Sequence, residues 1–330
     1  MLRIEVGPDD LAASRFALAP MAELEHLLRR LDQPRSRTAS GRAFSASRWA
    51  RRYEDVRHDL DARVLQALRP PGWGPDFIAP PPAGMARTPE DDLAVTRSTP
   101  LSVAREQVRR ALALGGAVDD DVRAVLERPD VASWIANGLE RLWRLLISPD
   151  WPQLLAIVER DVQHRANRLV RGGWTAALED LHDRVRWQGG AVVISGMADE
   201  QVHLDGRGLM FVPTVFLHPG PATYTEPPWQ PAIMYSARGS AALWEPEPTT
   251  PPALARLLGT TRAELLLRLD TPASTTQLCL VTGHTIGAVG DHLRILREAG
   301  LVTRTRSGRS VVYRRTPVGD AVSAVGTTAV

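Results

Sequence analysis

STTQLCLVTGHTIGAVGDHLRILREAGLVTRTRSGRSVVYRRT, residues 274–316, carries the clearest local structural signals in the chain. It predicts a helix, a tight turn at Gly283, a second helix, and a two-stranded hairpin turned by Ser307-Gly308. Ser274 followed three residues later by Gln277 is a capping-box pair, so the first helix begins there, with Leu278 and Val281 spaced to one side. In the second helix Ile286, Val289, Leu293 and Leu296 recur as one apolar stripe, which leaves Thr285, Gly287, Ala288, Asp291 and Arg294 elsewhere on its surface. Gly300 supplies a left-handed residue to end it. After Leu301 the period falls to two through Val302, Arg304 and Arg306, and the run RSVVYRR beyond the turn is rich in β-formers. That order is a winged helix-turn-helix.

A helix fits the major groove of duplex DNA, and a basic hairpin reaches neighbouring phosphates or the minor groove. The expected contacts to double-stranded DNA are Thr275, Thr276 and Gln277 on the first helix. On the second they are Thr285, Ile286, Gly287, Gly290, Asp291, His292 and Arg294, and on the hairpin Arg304, Arg306 and Arg309. A helix pair alone is common in all-α proteins, and arginines on a hairpin alone make a solvated edge. The ordered set points to DNA.

At these residues the chain resembles the ArsR-type family of winged-helix transcriptional regulators. DHLRILREAGLV and RSGRSVVYRRTPVGDA carry the resemblance, which spans residues 252–325. It implies a regulator, and this chain departs from the family's pattern in two places. Thiolate metal sensors of the family carry a Cys-x-Cys pair in the first helix, where this chain has Cys279, Leu280 and Val281, so no metal site is expected. Related regulators carry Ser or Thr near the start of the second helix, where Ala288 and Gly290 stand here. Gly287 and Gly290 each cost that helix about 1 kcal/mol relative to alanine.

Outward from this stretch, residues 252–258 and 317–325 predict flanking helices with apolar stripes of Leu254, Leu257, Leu258, Val318, Ala321, Val322 and Val325, which a monomer would expose. A homodimer is therefore expected. EPEPTTPP, residues 245–252, is a stiff extended linker, so the chain divides into an N-terminal body at 1–244 and a winged helix-turn-helix at 253–330. The body is expected to be α+β and mostly helical. Helices are predicted over 21–31, 49–68, 101–114, 130–147, 151–170 and 178–187, with a strand at LRIEV and a small antiparallel sheet within 191–243. Residues 70–92 break all periodicity and predict a proline-rich loop or lid, with Trp73 and Phe77 over an apolar pocket. Asp119, Asp120 and Asp121 sit where a helix N-terminus favours negative charge. The opening LRIEVGPDDLAASRFALAP and the later GRGLMFVPTVF are similar to a large N-terminal domain of unknown function that precedes the winged helix in some ArsR-like regulators.

Composition narrows the function. All 40 basic residues are arginine, a bias that reads as a GC-rich genome rather than as a design for phosphate, so the count alone is not evidence for DNA. Their distribution is more telling, because from Pro251 onward ten arginines stand against five acids. A single cysteine, Cys279, excludes internal disulfides, and neither a membrane-spanning run nor a signal-peptide pattern is found, so a cytoplasmic protein is expected. Gly206 and Gly208 lack the third glycine and following helix of a dinucleotide fingerprint, and P-loop, HExxH and GxSxG motifs are missing, so neither enzyme activity nor a cofactor is expected. The sequence reads as a DNA-binding repressor whose N-terminal domain senses a small-molecule effector or a partner. The alternative is a protein-interaction module whose winged helix no longer binds DNA.

Overall fold

The LRIE strand, Leu2–Glu5, alternates buried and half-buried residues and takes an inner place in a four-stranded sheet. In this computed structural model it pairs antiparallel with Ala191–Ile194 (Leu2 opposite Ile194) and parallel with Glu200–His203 (Leu2 opposite Glu200), while Val185–Gln188 closes the other edge. The structure describes all residues except 34–37, 82–83, 86, 218–219, 227–228, 244–249, 270–271, 308–309 and 325–330. A second four-stranded sheet orders Arg15–Phe16, Met210–Thr214, Ala232–Ser236 and Ala222–Tyr224, with the first three parallel and the last antiparallel. Instead of one antiparallel sheet within 191–243 there are thus two sheets of mixed sense. Each recruits a strand from the first sixteen residues. MFVPT and AIMYS are almost wholly buried, which is why they read as apolar runs without alternation.

By contact the chain separates into two compact units, Met1–Trp151 with Arg168–Trp244, and Pro152–Asn167 with Glu245–Val330. Residues 152–167, in the stretch expected for the N-terminal body, group with the second unit. They belong to a long helix, Trp151–Leu178, that is interrupted by non-helical Gly172 and Gly173, as the paired glycines predict.

In the first unit the helix Pro20–Asp32 is the innermost, with every residue from Pro20 to Leu28 buried. Its buried acids are satisfied. Glu23 accepts the backbone N–H groups of Val215 (2.8 Å) and Phe216 (3.3 Å), and burial pushes its carboxyl up to about 8. Glu25, held by His26 and Arg29, lies low, at about 2, despite its burial. The single helix predicted over 49–68 is two, Arg48–Glu54 and Leu60–Ala67, with Asp59 just before the second helix and Asp61 in its first turn both paired to Arg141. The helical patch predicted at 178–187 is instead a turn leading into the strand Val185–Gln188. Asp119 caps its helix through the Val122 N–H (3.1 Å), as expected.

The first part of the proline-rich segment, residues 70–78, is strapped down. Arg29 donates to the carbonyls of Pro70 (2.9 Å) and Trp73 (3.1 Å), Arg110 lies over the Trp73 ring, and Phe77 and Ile78 are core residues in a short 3-10 turn. Beside Pro70 and Pro71 the unit has an open cavity of about 1400 Å³, bounded by the end of the innermost helix, the helices at 39–45, 48–54 and 60–67, and the turn at 115–119.

Candidate nucleic-acid interface

The second unit is built on a small core. Leu265, Leu266, Leu269, Leu278, Val289, Leu293, Leu296 and Leu301 are buried together, with Leu258, Cys279, Tyr313 and Val322 packed against them. Two of these leucines come from the helix Thr260–Arg268, which is not among the helices expected from the sequence. The first helix of the pair is Thr275–Thr282. Ser274 Oγ accepts from Gln277 N (3.2 Å) and Gln277 Oε1 accepts from Ser274 N (2.8 Å), which is the capping box in both directions. Gly283 ends it at φ 72°, in the left-handed region that lets the chain turn into the second helix, Ile286–Glu298.

Thr285 caps that second helix, its hydroxyl accepting from Ala288 N (3.3 Å). Val289, Leu293 and Leu296 turn inward as expected. Ile286, expected in the same stripe, is 63% exposed at the helix's first turn. The exposed or half-exposed surface therefore runs through Thr276, Thr285, Ile286, Gly287, Gly290, Asp291 and Arg294. A Cβ added at Gly287 or Gly290 meets nothing within 4 Å, so neither glycine is required by the packing of the unit. Arg294 pairs with Glu298 (3.2 Å) rather than with Asp291, and Asp291 has no hydrogen-bond or ion-pair partner among the described residues. Half-buried Thr275 and Gln277 sit in the first turn of their helix, Gln277 spending its side-chain oxygen on the cap. His292 is half-buried, its Nδ1 inaccessible and without a hydrogen-bond partner.

After Gly300 (φ 72°) the chain enters the hairpin Val302–Ser307 and Ser310–Arg315, and Ala273–Ser274 adds a third strand. Arg304 faces Tyr313 and Arg306 faces Val311 across the ladder, while Thr303 faces Arg314. Val302, Arg304 and Arg306 thus share one face. Val302 at its base is buried in the core, whereas Arg304 and Arg306 are exposed nearer the tip. Gly308 and Arg309, read as the turn and a third basic contact, lie outside the described residues. Arg314 was missed. It is exposed on the opposite face and donates to Thr303 Oγ1 (3.4 Å), and the period of two, carried across the turn, is the signal that finds it.

Cys279 packs half-buried against the core and burial pushes its thiol up, so it behaves as a small apolar side chain. The helix Pro317–Ala324 packs on Thr260–Arg268 and on the second hairpin strand. Part of the expected dimer stripe is therefore internal: Leu254 is buried, and Leu258 and Val322 lie against the core. Leu257 and Val318 remain exposed, at 72% and 58%, and Val325 lies outside the described residues.

Residues 261–304 match the family described as "Bacterial regulatory protein, arsR family", and residues 90–241 match one described as "Family of unknown function (DUF5937)". Both matches fall in the order the sequence resemblances imply. Comparison with curated proteins and with solved structures gives no match. Among the described residues no helix is long and apolar enough to cross a membrane.

Proposed function

We propose that the chain is a DNA-binding transcription regulator of the cytoplasm, acting as a homodimeric repressor whose N-terminal body senses a small molecule. The observation that carries this reading is the surface of the second unit. A doubly capped helix pair presents Thr276, Thr285, Ile286 and Arg294 outward, and the same unit carries a hairpin bearing Arg304 and Arg306. The arsR-family match over 261–304 covers this pair and the first half of the first hairpin strand. Read in this way, the second helix enters the major groove, where an exposed Ile286 at its first turn suits the methyl group of thymine and Arg294 suits guanine. The hairpin arginines meet phosphates.

In this reading residues 1–244 form the sensing body, 253–330 bind DNA and dimerise, and 245–252 link them. Exposed Leu257 and Val318 support dimerisation, since each is an apolar group that a monomer leaves in water. The open cavity in the first unit supports sensing. Exposed Ile286, and Asp291 with no hydrogen-bond or ion-pair partner among the described residues, equally suit a protein surface, and this favours the second reading, a docking module without DNA affinity. A gel-shift of the full chain against the duplex upstream of its own gene separates the two. A retarded complex that competing unrelated duplex does not remove supports regulation, and an unshifted duplex at micromolar protein rejects it.

A further inference from the structure

The helix Ile286–Glu298 turns Val289, Leu293 and Leu296 into the core. Successive residues turn by about 100°, so the face directly opposite that stripe runs along Gly287, Asp291, Arg294 and Glu298, and Asp291 lies within about 20° of its centre. Asp291 is exposed, and neither Gly287 one turn before it nor Gly290 next to it carries a side chain that could screen its carboxylate. An aspartate on a helix ordinarily serves the helix dipole or an ion pair, and Asp291 does neither. It lies past the first turn, where the dipole favours an acid, and the cap is held by Thr285. Arg294, three residues on, is in an ion pair with Glu298 (3.2 Å), and Asp291 has no hydrogen-bond or ion-pair partner among the described residues. On a helix whose outward face meets a polyanion, such a charge weakens binding to every sequence unless a donor comes to meet it.

We propose that Asp291 is the residue that makes the recognised duplex cytosine-specific, its carboxylate accepting a hydrogen bond from the N4 amino group of a cytosine in the major groove. This rests on the regulator reading above and names the base that the second helix selects. Cytosine offers the carboxylate a donor with no acceptor beside it. Adenine sets its N7 lone pair next to its amino group, guanine presents O6 and N7, and thymine presents O4, so each of these turns a lone pair toward Asp291. Specificity of this kind comes from rejection as much as attraction, because the same charge disfavours unrelated duplex.

Gel-shift selection by the full chain from a pool of duplexes with a randomised central segment, followed by sequencing, tests this. The wild type should enrich cytosine at one position of the recovered site, together with its symmetry mate if the site is two-fold. Asp291→Ala should lose that preference, keep the rest of the recovered sequence, and bind unrelated duplex at least as tightly as the wild type. Asp291→Asn should move the preference from cytosine to adenine, because an amide carries both the acceptor and the donor that match adenine N6 and N7. In anisotropy titrations on the recovered duplex, replacing that C·G pair by A·T should weaken the wild type about tenfold and Asp291→Ala by no more than about twofold. Asp291 is exposed, so neither substitution disturbs the core. Wild-type binding without a cytosine preference overturns the inference and leaves the regulator standing. So do variants that keep the wild-type preference or that weaken every duplex alike, as loss of a purely structural residue would. A wild type that enriches no duplex overturns both the inference and the regulator reading.

Discussion

Gly287 and Gly290 sit on the outer surface of the second helix with open space where a side chain would be, so only their cost to the helix is explained within the chain. Alanine at either position should stabilise the second unit by up to about 1 kcal/mol in chemical denaturation. If the bare backbone lets DNA approach closely, the same variants should bind duplex more weakly. A gain in stability with undiminished DNA binding would mean that the glycines serve no contact. On the hairpin, Arg304→Ala and Arg306→Ala should each weaken binding to all sequences and flatten the salt dependence by roughly one phosphate's worth. Arg294→Ala should instead change which duplex is preferred. In the first unit the buried Glu23 gives a pH signature. Its carboxyl lies at about 8 in the folded chain against an ordinary 4.5, so between those values the folded state holds a proton that the unfolded state has lost. Stability from this group is therefore fully present below about 4.5, falls as pH rises, and levels off above about 8. Glu23→Gln removes that fall, and urea denaturation of both proteins across this range checks it. Parallel pH profiles would show that Glu23 keeps its ordinary titration.

Gly319 decides how the helix Pro317–Ala324 seats, because a Cβ there would overlap the carbonyl oxygen of Leu301. Gly319→Ala should destabilise the second unit by about 1–3 kcal/mol, with Ser274→Ala costing about 1 kcal/mol through loss of the cap. Thermal unfolding measures both, and a Gly319→Ala chain as stable as the wild type would contradict the close approach. The elements of this unit were legible in the sequence where the signal is local: the Ser274–Gln277 box, the left-handed Gly283 and Gly300, and the alternation of the hairpin all act within a few residues. Thr260–Arg268 was not, since three consecutive leucines hide a helical period and Gly259 before them reads as a break. Ile286 kept the spacing of the inner stripe but falls at the helix's first turn, beyond the reach of the core. In the first unit, Val185–Gln188 became a strand because Ala191–Ile194 offers it a buried partner, a choice made by pairing and not by propensity.

At the scale of the whole chain, the prolines and the change of period lead to the expectation of a large body and a winged end, while the interior of the body was not legible. Its sheets join residues near the start to strands about two hundred positions later, and no local pattern encodes such a pairing. The cavity escaped for the same reason, its lining being scattered over 30–122 on separate helices. The expected homodimer is tested by sedimentation: the wild type should be dimeric at micromolar concentration, and Leu257→Asp with Val318→Asp should shift it to monomer. A wild type that is monomeric with and without DNA would remove the two-fold operator that such symmetry implies. Most direct for the central claim is fluorescence anisotropy of the full chain on its own upstream duplex from about 50 to 200 mM salt. The expected result is saturable binding, with an association constant whose logarithm falls linearly with the logarithm of salt concentration. A duplex whose anisotropy stays flat at micromolar protein and the lowest salt would contradict it.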